Sequence, residues 1–198
     1  MQQTAYTVPL VLASASPRRL ELISWLGIPF EVVPSRADEV ADGSGLELVG
    51  SIARAKCDEV FARFPDRFVL AADTLVCADG RIFGKPRDRR DAVDMLQALS
   101  GRWHEVHTGC CLLGPGRFCD QRGETARVLF SSLSKEMISW YVDTGEPMDK
   151  AGAYAIQGVG GMFIVRIDGS PSNVMGLPLC LVRGMLESAG YFSYTAQN

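Results

Sequence analysis

The sequence has few of the residues that build metal centres or disulfide scaffolds. It contains six cysteines and two histidines in 198 residues. No two cysteines form the CxxC spacing of zinc sites and redox motifs, and most lie inside apolar runs. We therefore expect reduced, buried thiols that pack as small hydrophobic side chains. His104 and His107 are three residues apart in a strand-like run, where such side chains point to opposite faces, and this spacing disfavours a zinc site.

The chain also lacks an excess of positive charge and a long apolar run. Its formal net charge is −3, which argues against nonspecific nucleic-acid binding because such binding requires a basic surface. No segment approaches the roughly 20 apolar residues that span a bilayer, and the N-terminus has no signal-peptide pattern. These absences predict a soluble, cytoplasmic protein with neither a nucleic-acid nor a membrane partner.

The length and the order of the predicted elements indicate one α/β domain. A chain of 198 residues with 47% hydrophobic content can form one substantial core. Strand-like and helix-like segments alternate early, and two longer strand-like segments, 103–113 and 124–133, then predict a hairpin. Residues 145–161 are rich in glycine with little periodicity, which predicts a loop. The pattern as a whole predicts a mixed sheet flanked by helices.

Residues 12–19 are the most informative segment, because small residues and two arginines lie where a predicted strand ends and a helix begins. Ser16, followed by proline, suits the N-cap position. A helix start offers unpaired N–H groups and a partial positive charge, so small residues such as Ser14 leave room for an anion there. Arg18 and Arg19 could contact the oxygens of a phosphate. The alternative is a capped helix with two solvated arginines.

Two acidic residues are candidates for binding a divalent cation. Asp73 interrupts the strand-like run 68–77, where an unpaired carboxylate would be costly to bury. The alternative is a strand-end aspartate that accepts backbone N–H groups. Glu39 lies in a polar loop, where acidic side chains are usually solvated. Together the two carboxylates could supply the oxygen ligands that Mg²⁺ prefers, with positions left for water and phosphate.

Two lysines are candidate cations near Asp73. Lys56 lies on the predicted helix that precedes the Asp73 strand, close to its buried edge, and Lys85 lies in a Gly-Lys-Pro turn that follows the strand. Taken singly, each is more often a surface lysine. The turn is not a Walker A loop, because Pro86 replaces the required Ser or Thr. The glycines of residues 158–161 follow no strand, so the dinucleotide fingerprint is also absent.

Seven ordered motifs resemble those of the Maf family of nucleoside triphosphate pyrophosphatases along nearly the whole chain. In chain order they are Ser14-Ala15-Ser16-Pro17-Arg18-Arg19, Asp38-Glu39, Ala53-Arg54-Ala55-Lys56, Ala72-Asp73-Thr74, Gly84-Lys85-Pro86-Arg87-Asp88, Leu99-Ser100-Gly101 and the segment from Gly145 to Gly158. The last motif, which contains Gln157, is similar to the branch that acts on dTTP and UTP rather than the branch associated with 7-methyl-GTP.

The resemblance implies an enzyme that hydrolyses dTTP and UTP to the monophosphate and diphosphate with a divalent cation, Mg²⁺ or Mn²⁺. The expected role is removal of non-standard or excess pyrimidine nucleotides. The implied fold is an elongated, twisted mixed sheet with flanking helices and two lobes around a central cleft. We therefore expect one bilobed domain over residues 1–198, and a homodimer. A pyrophosphatase for CTP or modified nucleotides, and a nucleotide-sensing regulator of cell division, are the alternatives.

The resemblance implies that Asp73 is the general base and that Arg18, Thr74 and Gln157 govern substrate choice, and the chemistry of the reaction suggests roles for the other candidates. The predicted catalytic residues are Asp73, Glu39 and Lys85, with Asp73 orienting or deprotonating the attacking water and both acids holding the cation. The predicted substrate-binding residues are Ser14, Ser16, Arg18, Arg19, Lys56, Thr74 and Gln157. A glutamine amide can donate to O4 and accept from N3–H of uracil or thymine, whereas cytosine presents the reverse pattern. Gln157 is therefore the predicted base reader.

Overall fold

The structure, a computed structural model, describes residues 2–5, 8–38 and 43–195, with side chains described for 8–38 and 43–191. It divides into two compact units. The first contains Met1–Asp73, Thr108–Glu124 and Gly176–Asn198, and the second contains Thr74–His107 and Thr125–Met175. The expected single bilobed domain over residues 1–198 stays a prediction.

Most of the strands lie in one mixed sheet. The strands are β1 (Gln2–Ala5), β2 (Leu10–Leu12), β3 (Phe30–Val32), β4 (Val69–Ala78), β5 (Arg81–Phe83), β6 (Trp103–Gly114), β7 (Phe118–Phe130), β8 (Ile164–Asp168) and β9 (Phe192–Thr195). Seven of them form a sheet in the order β3-β2-β4-β6-β7-β8, with β5 paired to β4 outside this path. β2 runs parallel to β3 and β4, whereas β5 and β8 run antiparallel to their partners β4 and β7. The predicted mixed sheet is confirmed.

Helices connect the strands, and several begin at capping residues that the sequence indicates. The α-helices are α1 (Pro17–Ser24), α2 (Gly45–Phe61), α3 (Arg89–Leu99), α4 (Lys135–Asp143), α5 (Pro171–Val174) and α6 (Leu179–Ser188), and 3-10 helices cover Pro115–Arg117, Glu146–Asp149, Ala151–Ala153 and Val159–Phe163. Asp88 accepts the Asp91 N–H at 2.8 Å, and Ser134 accepts the Met137 N–H at 3.2 Å. These caps satisfy N–H groups that the first turn of a helix leaves unpaired.

The core of the first unit forms between one face of α2 and the sheet. Ala53, Cys57 and Val60 recur at helical spacing on α2 and are fully buried. They pack against alternate residues of the sheet region, namely Val11, Ala13, Val69, Ala71, Cys111 and Leu113. The two periods, about 3.6 on the helix and 2 on the strands, therefore place α2 firmly across β2, β4 and β6.

The core of the second unit contains α3, α4 and a cluster of aromatic rings. The buried face of α3 is the one that its apolar spacing predicts, with Ala92, Leu96 and Leu99 fully enclosed. Edge-to-face ring pairs, such as Tyr141 with Phe163 at a centroid distance of 5.0 Å, form part of this core. The sequence anticipates the helical face but not the ring packing.

Some local expectations are corrected by the structure. β4 runs without a break through Asp73 and Thr74, and the second strand of the predicted hairpin begins at Phe118 rather than at residue 124. The hairpin itself is confirmed. The expectation of buried thiols holds for only some of the six free cysteines, because Cys119 and Cys180 are exposed.

No helix in the described part of the chain combines the length and the apolar character needed to cross a membrane. The longest, α2, has 17 residues and includes the buried lysine Lys56 together with several other charged side chains.

The backbones of α2 and β6 approach each other so closely at Gly109 that a side chain there has no room. A Cβ atom at Gly109 would lie 2.6 Å from both the Val49 carbonyl carbon and the Gly50 nitrogen. We expect Gly109→Ala to lower the free energy of unfolding by about 1–3 kcal/mol or more, because backbone atoms must shift to accept it. Denaturant unfolding followed by circular dichroism measures this change.

The matched control is Gly184→Ala on α6, where the added Cβ would lie 3.5 Å from the end of the Arg122 side chain. This contact is an ordinary one, and alanine is favoured over glycine in a helix by up to about 1 kcal/mol. The control should therefore be neutral or stabilising. Equal effects of the two substitutions would contradict the close approach at Gly109.

Candidate active site

Residues 12–19, which contain the predicted phosphate loop, begin at the last residue of β2. The parallel pairing of β2 with β4 brings this loop beside the Asp73 region. Leu12 pairs with Leu70, and the Ala13 N–H donates to the Leu70 carbonyl at 2.8 Å. This hydrogen bond continues the pairing one residue beyond β2, so the chain that leads from β2 to Ser14 starts beside the part of β4 that precedes Asp73.

The Ser14 hydroxyl organises the start of α1. Ser14 is only 6% exposed, and its Oγ accepts the Ser16 N–H at 3.2 Å and an Arg19 Nη1–H at 3.4 Å. Ser16 occupies the predicted N-cap position, but its side chain makes no capping hydrogen bond. The expectation that Ser16 caps the helix is thus correct in position and wrong in chemistry, because the local hydrogen bond runs from its backbone to Ser14.

The Arg19 side chain connects Ser14 to the chain just before α6. Its Nε donates to the Gly176 carbonyl at 2.8 Å, in addition to the bond to Ser14. A guanidinium has five N–H donors in a fixed plane, so these two bonds set the orientation of the group. Arg18, on the same first turn of α1, is half-buried. The structure therefore brings Ser14, Ser16 and Arg19 together through hydrogen bonds and places Arg18 beside Arg19 on the first turn of α1.

Lys56 and Asp73 form a close ion pair inside the first unit. Lys56 Nζ lies 2.7 Å from Asp73 Oδ1, with the side chains 10% and 15% exposed. The helical spacing that buries Ala53, Cys57 and Val60 also turns Lys56 toward the sheet. The ion pair explains how β4 contains a carboxylate, since a buried charge requires a partner of opposite sign. The alternative of a strand-end aspartate is wrong, because β4 continues to Ala78.

Asp73 has the donor chemistry of a magnesium ligand. Mg²⁺ prefers carboxylate oxygens and is often held by one or two carboxylates together with water and substrate phosphate. The bond from Lys56 engages Oδ1 of the carboxylate. Residues 8–38 and 43–191 contain no cluster of three or more His, Cys, Asp or Glu side chains that could hold a metal ion. Glu39, the second predicted ligand, lies outside the described residues. The Asp73 carboxylate therefore has the chemistry of one ligand to such a cation.

The other predicted site residues belong to the second unit. Thr74 follows Asp73 on β4 and is half-buried, whereas Lys85 and Gln157 are exposed. Lys85 lies in the turn between β5 and α3, where the Gly84 carbonyl accepts the Gly152 N–H at 3.1 Å. Gln157 lies just before the 3-10 helix Val159–Phe163. The roles assigned to these three residues stay predictions.

Sequence reasoning assigned no role to Glu146, which the structure places beside the segment that carries Gln157. Burial opposes ionisation of this carboxyl, but hydrogen bonds from the Gly160 N–H, the Tyr141 hydroxyl and the Val159 N–H lower its pKa. Glu146 is part of the last motif, yet nothing in its spacing reveals that its partners are backbone N–H groups. The absence of a helical or strand period around it was the available signal that side chains must hold this segment.

A buried histidine contacts Tyr154, which lies three positions before Gln157. His104 is 2% exposed, and its Nε2 lies 2.8 Å from the Tyr154 hydroxyl oxygen. Its ring meets the edges of Phe130 and Tyr154 at centroid distances of 4.9 and 5.3 Å. Burial lowers the pKa of His104 from 6.5 to about 4. His104 is therefore a neutral core residue near pH 7, in keeping with its apolar surroundings.

Comparison with known proteins assigns the chain to a family. The model of the family described as Maf-like protein matches residues 9–189. A protein of Syntrophus aciditrophicus strain SB, named dTTP/UTP pyrophosphatase, is 47% identical over 96% of this chain and 94% of the relative. Proteins of the same name are 49% identical in Myxococcus xanthus strain DK1622, over 91% of this chain and 92% of the relative, and 51% identical in Anaeromyxobacter sp. strain Fw109-5, over 92% and 90%.

Among solved structures, the Staphylococcus aureus Ham1 protein is similar over 92% of this chain and 100% of that chain, with 13% identity and a TM-score of 0.48. The family match extends across both compact units and includes every predicted site residue. The chain belongs to the Maf family.

The burial of neutral His104 makes stability depend on pH. We expect the free energy of unfolding to fall as the pH drops from 6.5 to about 4, because the unfolded chain binds a proton there and the folded chain does not. The loss attributable to this residue is roughly 3 kcal/mol. His104→Gln removes the titrating group and keeps an oxygen that can accept from Tyr154. Denaturant unfolding across this pH range should show a smaller loss in the variant, and an equal loss would contradict the assignment.

Proposed function

We propose that this protein is a nucleoside triphosphate pyrophosphatase that hydrolyses dTTP and UTP to the monophosphate and diphosphate. The observation that carries the proposal is the identity of 47% to 51% with relatives named dTTP/UTP pyrophosphatase, over nine-tenths or more of both chains. The branch-specific motif around Gln157 supports the same substrates. Clearance of non-standard or excess pyrimidine nucleotides, a cytoplasmic location and a homodimer belong to this proposal as predictions.

The local chemistry of the first unit supports cleavage of a phosphoanhydride. Hydrolysis between the α and β phosphates needs an oriented water, a group that accepts its proton and positive charge for the departing diphosphate. Asp73 supplies a carboxylate whose position is set by Lys56 at 2.7 Å. We assign to Asp73 the orientation and deprotonation of water, and to Lys56 the alignment of that carboxylate and part of the positive charge.

The helix start beside Asp73 would bind the triphosphate. Ser14, Ser16, Arg18 and Arg19 combine small side chains, backbone N–H groups and two guanidinium groups at the beginning of α1. Such a combination favours phosphate because the N-terminal end of the helix dipole and the two arginines all carry positive charge. The hydrogen bonds that orient Arg19 before substrate binds reduce the entropy lost when phosphate is contacted.

The proposal includes a divalent cation. Asp73, together with Glu39, would hold Mg²⁺ or Mn²⁺, which when bound supplies charge neutralisation at the phosphate oxygens. For Lys85 we propose a further positive contact to phosphate, and for Thr74 and Gln157 contacts that select the nucleotide. These assignments depend on the motif resemblance.

A nucleotide panel tests the proposed reaction. The full chain would be incubated with dTTP, UTP, CTP, ATP and GTP in Mg²⁺, in Mn²⁺ and in chelator, and nucleoside monophosphate, diphosphate and orthophosphate would be quantified. We expect diphosphate and monophosphate in equal amounts from dTTP and UTP, and none in chelator. Release of orthophosphate alone, or no turnover with any nucleotide, would refute the proposal. Preference for CTP would instead overturn the assigned base.

Replacing Asp73 tests the assigned proton acceptor. Asp73→Asn keeps the shape of the side chain but removes its charge, so we expect kcat to fall by about 10² to 10⁴. Because the change also removes an anionic partner of Lys56, unfolding must be measured alongside activity. A variant that folds as the wild type does and keeps its kcat would exclude Asp73 from the chemistry.

The matched control is Asp79→Asn, six positions further along the chain. Asp79 is exposed and pairs with Arg102 at 3.0 Å, and its φ of 50° is a conformation that asparagine adopts well. The control should leave both kcat and stability close to wild type. A comparable loss in the control would mean that the effect at Asp73 reflects a general change in charge.

A further inference from the structure

Gln157 lies in the segment formed by residues 155–160, which is held by hydrogen bonds on both sides of Gln157. Before Gln157, the Ala155 N–H donates to the Tyr141 hydroxyl oxygen at 3.3 Å. After it, the Val159 and Gly160 N–H groups donate to the carboxylate of Glu146 at 2.9 and 3.0 Å. Because Gln157 is exposed, core packing around its side chain does not fix it. The backbone bonds at 155, 159 and 160 hold the chain on both sides of this residue.

The Glu146 carboxylate uses both oxygens for this purpose. Oε2 accepts the Val159 N–H, whereas Oε1 accepts the Gly160 N–H and the Tyr141 hydroxyl, the latter at 2.8 Å. An ionised carboxylate accepts at both oxygens and makes stronger hydrogen bonds than a neutral acceptor. A glutamine of the same shape has only one acceptor oxygen, so it cannot reproduce this set of bonds.

Tyr141 connects the two sides of the segment. Its hydroxyl donates to Glu146 and accepts from Ala155, and its ring is fully buried beside Phe163. Burial and the neighbouring Glu146 raise the pKa of Tyr141, so the hydroxyl keeps the proton that it donates. The tyrosine thereby ties the segment to α4, the helix that contains it.

Two glycines of the segment allow its backbone to lie close to the Glu146 carboxylate and the Tyr141 hydroxyl. A Cβ atom at Gly158 would lie 2.4 Å from Glu146 Oε2, and one at Gly160 would lie 2.4 Å from the Tyr141 hydroxyl oxygen. Glu146 is itself held at the end of α4, because its N–H donates to Thr144 Oγ1 at 3.2 Å and its carbonyl accepts Lys150 Nζ at 2.7 Å. The carboxylate and the backbone after Gln157 are therefore matched in position.

We propose that Glu146 is a positioning residue for specificity: its carboxylate, with the Tyr141 hydroxyl, places Gln157 so that the enzyme distinguishes uracil and thymine from cytosine. The inference rests on the proposed function, in which Gln157 contacts the base. A glutamine discriminates bases only if its amide has a defined direction, because donor and acceptor must face the correct edge atoms. Loss of the Glu146 bonds would leave the amide present but poorly directed.

The central experiment compares UTP with CTP in Glu146→Gln, Gln157→Ala and the double variant. We expect Glu146→Gln to reduce the ratio of kcat/KM for UTP over CTP by about tenfold, mainly through a higher KM for UTP, while kcat stays within about threefold. In the Gln157→Ala background the same substitution should leave the ratio unchanged, since residues that act as a unit are not additive. If Glu146→Gln lowered the UTP to CTP ratio by the same factor in the wild type and in the Gln157→Ala variant, the proposal would be overturned.

The matched control is Glu187→Gln, which removes a surface carboxylate whose salt-bridge partner is Arg183 at 3.7 Å. It should leave the UTP to CTP ratio at the wild-type value. Tyr141→Phe is the second test variant, because it removes only the hydroxyl from the network. It should lower the ratio in the same direction as Glu146→Gln, and an unchanged ratio in both variants would refute the assigned role.

Amide hydrogen exchange separates failure of this inference from failure of the proposed function. In Glu146→Gln the Val159 and Gly160 amides should exchange at least about tenfold faster, while the amides of α3 keep their rates. Unchanged exchange would show that Glu146 does not hold the segment, whatever the protein hydrolyses. Faster exchange in a protein with no activity toward any nucleotide would refute the proposed function, and faster exchange with an unchanged UTP to CTP ratio would refute the specificity role.

Discussion

The ion pair between Lys56 and Asp73 is the interaction on which the candidate site depends. An ionised acidic side chain in the middle of a largely buried strand needs a similarly buried cationic side chain as its partner. That requirement fixes the rotation of α2 about its axis, because the face that buries Ala53, Cys57 and Val60 must also direct Lys56 toward β4. Core packing and the candidate chemistry therefore share one helix face, and neither can change independently of the other.

The parallel pair of β2 and β4 gives that ion pair its neighbours. Its register brings the chain that leaves β2 beside the first, fully buried stretch of β4, residues 69–72. Ser14 then accepts hydrogen bonds from the chain on either side of α1's first residue, so the helix start is shaped by a hydroxyl that lies before it. A carboxylate and a helix start thus become adjacent through ordinary sheet geometry, with no motif that spans both.

Local sequence patterns were sufficient to predict the hairpin, the start of α1 at Ser16 and the helix with Lys56 near its buried edge, because each depends on residues close together in the chain. The continuity of β4 at Asp73 was not predictable in this way, since it depends on a lysine 17 positions earlier. The network around Glu146 was also hidden, because its partners are mainly backbone N–H groups, which every residue except proline possesses. The residue pattern and the resemblance to the family supplied the candidate residues, and the structure supplied the neighbours of those in the first unit.

The bond from Arg19 to the Gly176 carbonyl links a residue near the beginning of the chain to one that is synthesised much later. During translation, this hydrogen bond cannot form until the chain has grown by 157 residues beyond Arg19. The first unit is likewise assembled from three separate stretches of sequence. The hydrogen bonds around the first turn of α1 are therefore complete only after the segment that contains Gly176 has been added.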